Sequence, residues 1–560
     1  MPRARLSLRA LLFAGLAVGI TLGTACGPAS SLAADARAQR RPSAPVAPAI
    51  PAAERPKLVV LITVDQLRPD YLTRWDAQLT GGLRRLLDEG AFYSHALQDH
   101  SITETAPGHA VTLSGRFPYS TGIASNSAGV DSPDWPLVGS EGPGASPYRF
   151  RGTTFADWMT AADTRTRVLS VSRKDRGAIL PVGSGKHSVF WYAQASGRFV
   201  TSTWYADSLP TWVQEFNAED RVARRYAGRS WDLLLPEAAY PEADSVEQES
   251  AGQGFTFPHA LANDATAAQS GIIGQPSMDE LTLDFAWKGV RALDLGGGSQ
   301  TDLLAISLST TDAVGHRWGP DSRELHDQVL RLDRVLGVFL DSLIALRGKE
   351  NIAIALTSDH GVAPIPEFRS SWGDNSRATR ISREDFDPAF TRVSEKVILS
   401  RIPADAFTFD FPTLNVDRSK VGLRTRELRT VARSFAAEVR KIPSVLRADV
   451  VDDLVLADTV RDAIARRWLH TFRPGGEELV VITLRPFNYG GSNIAAHGTP
   501  HDYDALVPLI LWGRHFRHFA DSSAVRVVDL APTLAHLLGV APLQRLDGHV
   551  LARTFVPLPD

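Results

Sequence analysis

The residues Leu58-Val59-Val60-Leu61-Ile62-Thr63-Val64 form an unbroken apolar, β-branched run. Such a run suits a strand covered on both faces, the usual environment of a parallel sheet. Three further runs repeat it, at Leu303–Leu308, Ile352–Leu356 and Leu506–Leu511. Between Leu308 and Ile352, the residues Leu325, Val329, Leu332, Leu336, Phe339, Leu340 and Leu343 keep helical spacing; Asp321 or Ser322 can cap the start, and Gly348 can end it. Strand, helix, strand is a βαβ unit. The expected fold is therefore α/β, a three-layer αβα sandwich with a mostly parallel central sheet.

Two stretches break the rhythm and are expected to be inserted cap segments. Residues about 185–285 contain a hairpin-like pair, Ser188 to Ala193 and Arg198 to Tyr205, turning at Ser196-Gly197. Residues about 362–490 mix patterns around the apolar run Leu479-Val480-Val481-Ile482. No internal repeat is visible, and the lone Gly296-Gly297-Gly298 does not make a phosphate loop. The folded part, residues 57–560, follows a leader. Arg3, Arg5 and Arg9 precede an apolar run from Ala10 to Ala25, and small residues follow at Ser31-Leu32-Ala33. Residues 1–33 read as a signal peptide of an exported protein, periplasmic or secreted, because the run falls short of the roughly 20 apolar residues of a transmembrane anchor. Residues 34–56, rich in Ala, Pro and Arg, read as a flexible linker.

Charge narrows the chemistry. Sixty basic residues balance 63 acidic ones for a net of -3, so no basic excess indicates a nucleic-acid partner. Cys26 is the one cysteine among 560 residues. It is either lost with the leader or a lipid anchor, since Gly23-Thr24-Ala25-Cys26 loosely matches a lipobox; Gly23, standing where an aliphatic residue is usual, favours loss. A metal in the folded part must then be held by His, Asp or Glu.

Those residues gather where strands are expected to end. Asp65 follows the first strand, Asp312 and His316 follow the second, Asp359-His360 the third, and His497 precedes the Leu506 run. Ligands of open α/β sheets bind at the carboxyl ends of strands. Singly, each acid reads as a helix cap or turn residue, and each His as an ordinary hydrogen-bonded one. Together, three crowded carboxylates call for cations, and mixed His/Asp ligands suit zinc; six are enough for two ions. In Thr103-Glu104-Thr105-Ala106-Pro107-Gly108-His109, a hydroxyl stands ahead of a Pro where a helix is expected to begin. Thr105 is either a plain cap or, next to a metal, a nucleophile.

At this point the chain resembles a known family. Val64 to Tyr71, Thr103 to His109, Ser309 to Asp312 with His316, Ser358 to Gly361, His497 to His501, Val528 to Thr533 and Asp547-Gly548 look like the alkaline phosphatase superfamily. More narrowly they resemble the PafA-type alkaline phosphatases with a threonine nucleophile, kin of nucleotide pyrophosphatase/phosphodiesterases. The resemblance implies two zinc ions, one held by Asp312, His316 and His497, the other by Asp65, Asp359, His360 and Thr105. It also implies that Asn126 donates to a phosphoryl oxygen, and that Lys174 and Arg176 form the pair separating monoesterases from diesterases. Otherwise that pair is a solvated charge cluster. The expected function is hydrolysis of small phosphate monoesters through a phosphothreonine, by a monomer. A phosphodiesterase is the runner-up, and a non-catalytic phospho-ligand-binding protein comes third. A sulfatase is disfavoured, since it needs a Cys- or Ser-derived nucleophile and Thr105 is neither.

Overall fold

The computed structural model describes residues 50–557 apart from 372–377, 382–387, 389–390, 396–401 and 491–492. The leader, Cys26 and the linker up to residue 49 lie outside the described residues. Of the remaining linker, Ile50 is buried and Glu54 pairs with Arg514 at 3.2 Å. No helix among the described residues is long and apolar enough to cross a membrane.

The four apolar runs become strands of one sheet. At its centre Ile352–Thr357, Leu58–Val64, Asp302–Leu308, Val168–Ser172 and Ser188–Ala193 lie side by side and parallel. Antiparallel strands extend this set at both ends. Leu506–Trp512 and then Ala91–Leu97 join beyond Ile352–Thr357, and Arg198–Ser202 joins beyond Ser188–Ala193. The hairpin expected from Ser188 to Tyr205 thus continues the central sheet, and Gly197 makes its turn at φ 68°.

Alternation along the first strand shows the layers directly. Leu58, Val60, Ile62 and Val64 face a core shared with the helices Gly82–Glu89, Ser277–Ala292 and Arg323–Arg347. Val59 and Leu61 face a second core, shared with the helices Thr105–Ser114, Phe155–Ala162 and Leu530–Leu538. Every residue of that strand is buried. Full burial of one such side chain stabilises by about 1.5–3 kcal/mol, so a polar substitution on either face would disrupt a core. Ser322, rather than Asp321, caps the long helix by accepting from the Leu325 N–H, and Gly348 ends it at φ 81°.

Within residues 402–484 the strands Phe407–Asp410, Thr413–Val416, Glu478–Leu484 and Val445–Val450 form a separate antiparallel sheet. The helix Thr425–Val439 covers it with Leu428, Val431 and Phe435. A second helix of this stretch, Ala463–Thr471, packs Trp468 against Ile102, just upstream of Thr105.

Candidate active site

The central strands deliver the expected acids to one edge. Asp65 directly follows Leu58–Val64, and its N–H donates to Leu308 O at 2.9 Å. Gln66, next along, takes a left-handed conformation at φ 66°, unusual for a residue other than glycine. That turn lets its N–H donate to Asp359 Oδ1 (3.1 Å) and its amide to Asp312 Oδ1 (3.0 Å). Gln66 therefore ties three strand ends together. It stands inside the quoted motif, yet its sequence carries no signal of that role.

The imidazoles share one orientation. His316 Nδ1 lies 2.7 Å from Ala495 O, His360 Nδ1 3.0 Å from Gly361 O, and His497 Nδ1 2.8 Å from Thr103 O. A carbonyl only accepts, so each Nδ1 carries a proton and each Nε2 is turned toward the acids. His360 Nε2 is 3.4 Å from Asp65 Oδ1 and 3.5 Å from Asp359 Oδ2; His316 Nε2 is 3.2 Å from Asp312 Oδ1 and 3.1 Å from His497 Nε2. Backbone tethers of this kind are what orients metal-ligating histidines.

Two groups can each converge on one ion, with one donor atom per residue within 4.8 Å of the others: Asp65, Asp359 and His360, and Asp312, His360 and His497. His360 belongs to both, because its ring stacks on His497 at 3.5 Å between centroids. His316 stands beside the second group through Asp312. Asp65 Oδ1 and His360 Nε2 are buried without a hydrogen-bond partner, while Asp65 Oδ2 pairs with Lys174 and Asp359 Oδ2 faces His109. Burial and the charges of Asp312 and Asp359 push the Asp65 carboxyl up. Burial also works on Asp312, but Lys174 and His316 hold it well below the carboxylate range. His497 is pushed up to about 9 by Asp312 in spite of its burial. Excess negative charge, orphaned donors and nitrogen/oxygen chemistry fit divalent metal ions.

Thr105 opens its helix rather than capping it. Glu104 occupies the cap position, Thr105 is the first helical residue, and Pro107 is the third. Pro is tolerated anywhere in the first turn, whose N–H groups have no helical partner, so its position alone did not locate the helix start. The helix packs so closely that a Cβ on Gly108 would meet Asp359 O at 2.1 Å. Its His109 Nδ1 lies 2.8 Å from Thr105 O and 3.2 Å from Asp359 Oδ2, which links the helix to the acid cluster.

Lys174 is buried, with Nζ 2.5 Å from Asp65 Oδ2, 2.7 Å from Asp312 Oδ2 and 3.2 Å from Thr105 Oγ1. Asn126 Oδ1 accepts from the Ala106 N–H at 2.9 Å, and its own N–H donates to Glu104 Oε2 at 2.6 Å. Arg176 lies nearer the surface, 3.6 Å from Asp175. Thr105, Asn126, Lys174, Arg176, Asp312, His316 and His497 all line a cavity of about 810 Å³. Its far wall carries Leu137, Trp191 and Ala193 from the hairpin side, none of which sequence reasoning had assigned to the site. Asp65, Asp359 and His360 lie behind its surface.

Comparison with known proteins decides the family. Residues 59–480 match the family described as Type I phosphodiesterase / nucleotide pyrophosphatase. The chain belongs to that family. The alkaline phosphatase PhoV of Synechococcus elongatus is 31% identical over 534 residues, covering 89% of this chain and 92% of PhoV. The alkaline phosphatase PafA of Elizabethkingia meningoseptica is 30% identical over 514 residues, covering 87% and 92%. The crystal structure of wild-type PafA superposes with a TM-score of 0.82 at 28% identity, over 91% of this chain and 100% of that one. This chain is an enzyme of the alkaline phosphatase kind, with the mixed α/β fold and mostly parallel sheet of that structure.

Proposed function

We propose that the enzyme hydrolyses small phosphate monoesters with two zinc ions and a covalent phosphothreonine at Thr105. The observation that carries this reading is the common orientation of His316, His360 and His497. Each is tethered at Nδ1 and aimed with Nε2 at buried carboxylates next to the Thr105 hydroxyl. One zinc is assigned to Asp312, His316 and His497, the other to Asp65, Asp359, His360 and Thr105. Zinc held there supplies positive charge that acidifies the Thr105 hydroxyl and offsets charge on the leaving oxygen.

The chain's own groups do the rest. Lys174 Nζ stands 3.2 Å from Thr105 Oγ1, where it meets the oxygens of a phosphoryl group arriving at that hydroxyl. Oγ1 attacks phosphorus as its proton passes to solvent, the bond from phosphorus to the alcohol oxygen breaks, and that oxygen leaves with a proton from water. A second water attacks the phosphothreonine, the bond from phosphorus to Oγ1 breaks, and a proton given up by that water returns to Oγ1 as phosphate departs. Asn126, with its carbonyl oxygen tied to the Ala106 N–H, has its NH₂ end to donate to a phosphoryl oxygen. The family description names phosphodiesterases, and the charge of the site supports the monoesterase reading over that one. A monoester dianion presents an extra negative oxygen, which Lys174 and Arg176 stabilise.

Replacing Lys174 and Arg176 together by Ala is expected to lower monoester kcat/KM by roughly 10²–10³-fold, about 3 kcal/mol or more of lost transition-state contact. Diester hydrolysis should change little, and the preference should move toward diesters. Rates on aryl phosphate mono- and diesters, measured on protein of known metal content, test this. Equal losses on both substrates would assign the pair to the metal site, and a wild-type preference for diesters would overturn the monoesterase reading.

The same reading takes residues 1–33 as a cleaved export signal and the site of action as the periplasm or beyond. N-terminal sequencing of the native protein should find a start after about residue 33, or at a lipidated Cys26. Intact Met1 on cytoplasmic protein would refute it.

A further inference from the structure

The segment from Gln98 to Thr103, which carries the chain into Thr105, has no helix or strand of its own. Yet Gln98, Asp99, His100, Ser101, Ile102 and Thr103 are all buried. Beside it runs the loop holding His497. Two direct bonds join them: His497 Nδ1 donates to Thr103 O at 2.8 Å, and Thr103 Oγ1 donates to Thr499 O at 2.9 Å.

The helix Ala463–Thr471 grips both from outside. Arg466 forks onto Asp99 with Nε at 2.9 Å from Oδ2 and its terminal nitrogen at 3.1 Å from Oδ1. His470 Nδ1 donates to Asp99 O at 2.6 Å, and the Ser101 N–H donates to Thr471 Oγ1 at 2.9 Å. Those three residues hold one segment only. Arg467 reaches two. Its Nε faces Asp99 Oδ1 at 3.4 Å as an ion pair without a hydrogen bond, while one terminal nitrogen donates to Pro500 O at 2.7 Å and the other to Asp502 Oδ1 at 2.7 Å. Its side chain is 2% exposed, whereas that of Asp502 is 81% exposed, so the two buried contacts dominate.

We infer that Arg467 is a positioning residue: its guanidinium sets the spacing between the Thr105 segment and the His497 loop. The inference rests on the roles proposed above for Thr105 and His497. It gives the helix Ala463–Thr471 a task in catalysis beyond packing Trp468 against Ile102. A planar guanidinium can bring its charge against Asp99 along one edge and donate to Pro500 O from a terminal nitrogen at once, whereas the single ammonium of a lysine cannot reach both. A slip between the two segments would move Thr105 Oγ1 relative to His497 Nε2 without removing either.

The test compares Arg467→Lys with wild type and with Asp502→Ala, all purified and checked for fold by circular dichroism and Tm. For Arg467→Lys, zinc affinity by competition with a chelating dye should fall about 10- to 100-fold and kcat about 10²-fold, with KM changed far less. Asp502→Ala should match wild type in zinc affinity and kcat. Where Arg467→Lys does not fold, Arg467→Gln, which keeps a neutral donor near Pro500 O, should show the same split. Wild-type zinc affinity and kcat in a folded Arg467 variant overturn the inference, and so do equal losses in Asp502→Ala. The functional reading fails separately, if wild-type protein binds no zinc or carries its phosphoryl group on a residue other than Thr105.

Discussion

Thr105→Ala is expected to give a folded, metal-binding protein that turns over phosphate esters at least about 10⁴-fold more slowly than wild type. The size follows from what the side chain does. Thr105 caps no helix end, and its hydroxyl takes one hydrogen bond, from Lys174 at 3.2 Å. Truncation therefore costs the fold little, while a covalent route loses the atom on which its intermediate is built. Thr105→Ser keeps that atom and should keep most of the activity. Acid-quenched wild-type protein, digested and analysed by mass, should carry phosphate on the peptide containing Thr105, and the Ala variant should carry none. Phosphate trapped on any other residue, or a fast Ala variant, would end the assignment.

Removal of metal is expected to abolish turnover by about 10³-fold or more and to lower Tm together with it. Three buried carboxylates, Asp65, Asp312 and Asp359, share one strand edge. Lys174 pairs with two of them, and the Asp65 carboxyl is still pushed up. An ion that binds the folded state alone at 1,000 times its Kd adds about 4 kcal/mol of stability, so chelation should register in calorimetry as well as in assays. Zinc should restore both properties, at two ions per chain by elemental analysis. Metal-free protein with full activity would be incompatible with the proposal.

Much of this architecture is legible because it depends on neighbours in sequence. Leu58–Val64 reads as a doubly covered strand since all seven residues are apolar or β-branched, and all seven are buried. The acids and histidines stand out because they lie just beyond such runs or, for His497, shortly before one. The long helix shows its spacing over 25 residues, from Arg323 to Arg347. Local signals misjudge what depends on distant partners. The Ser188–Ala193 strand has a hairpin signature, but its place beside Val168–Ser172 comes from backbone hydrogen bonds that no side-chain pattern encodes. The start of the Thr105 helix likewise depends on how Gly108 packs on Asp359, 251 positions away, because the first turn accepts Pro at several positions.

By itself, then, the sequence determined the α/β class, the strand edge and the kinds of side chain gathered there, because apolar periodicity and residue type are properties of short segments. Tertiary structure alone decided how those groups face one another. The carbonyls of Thr103, Gly361 and Ala495 set the three imidazoles. The left-handed Gln66 ties Asp312 to Asp359, and Arg467 reaches from its helix to two loops. Backbone carbonyls are the same atoms at every position, so which of them meets a given histidine depends on the folded path and on nothing in the residue letters.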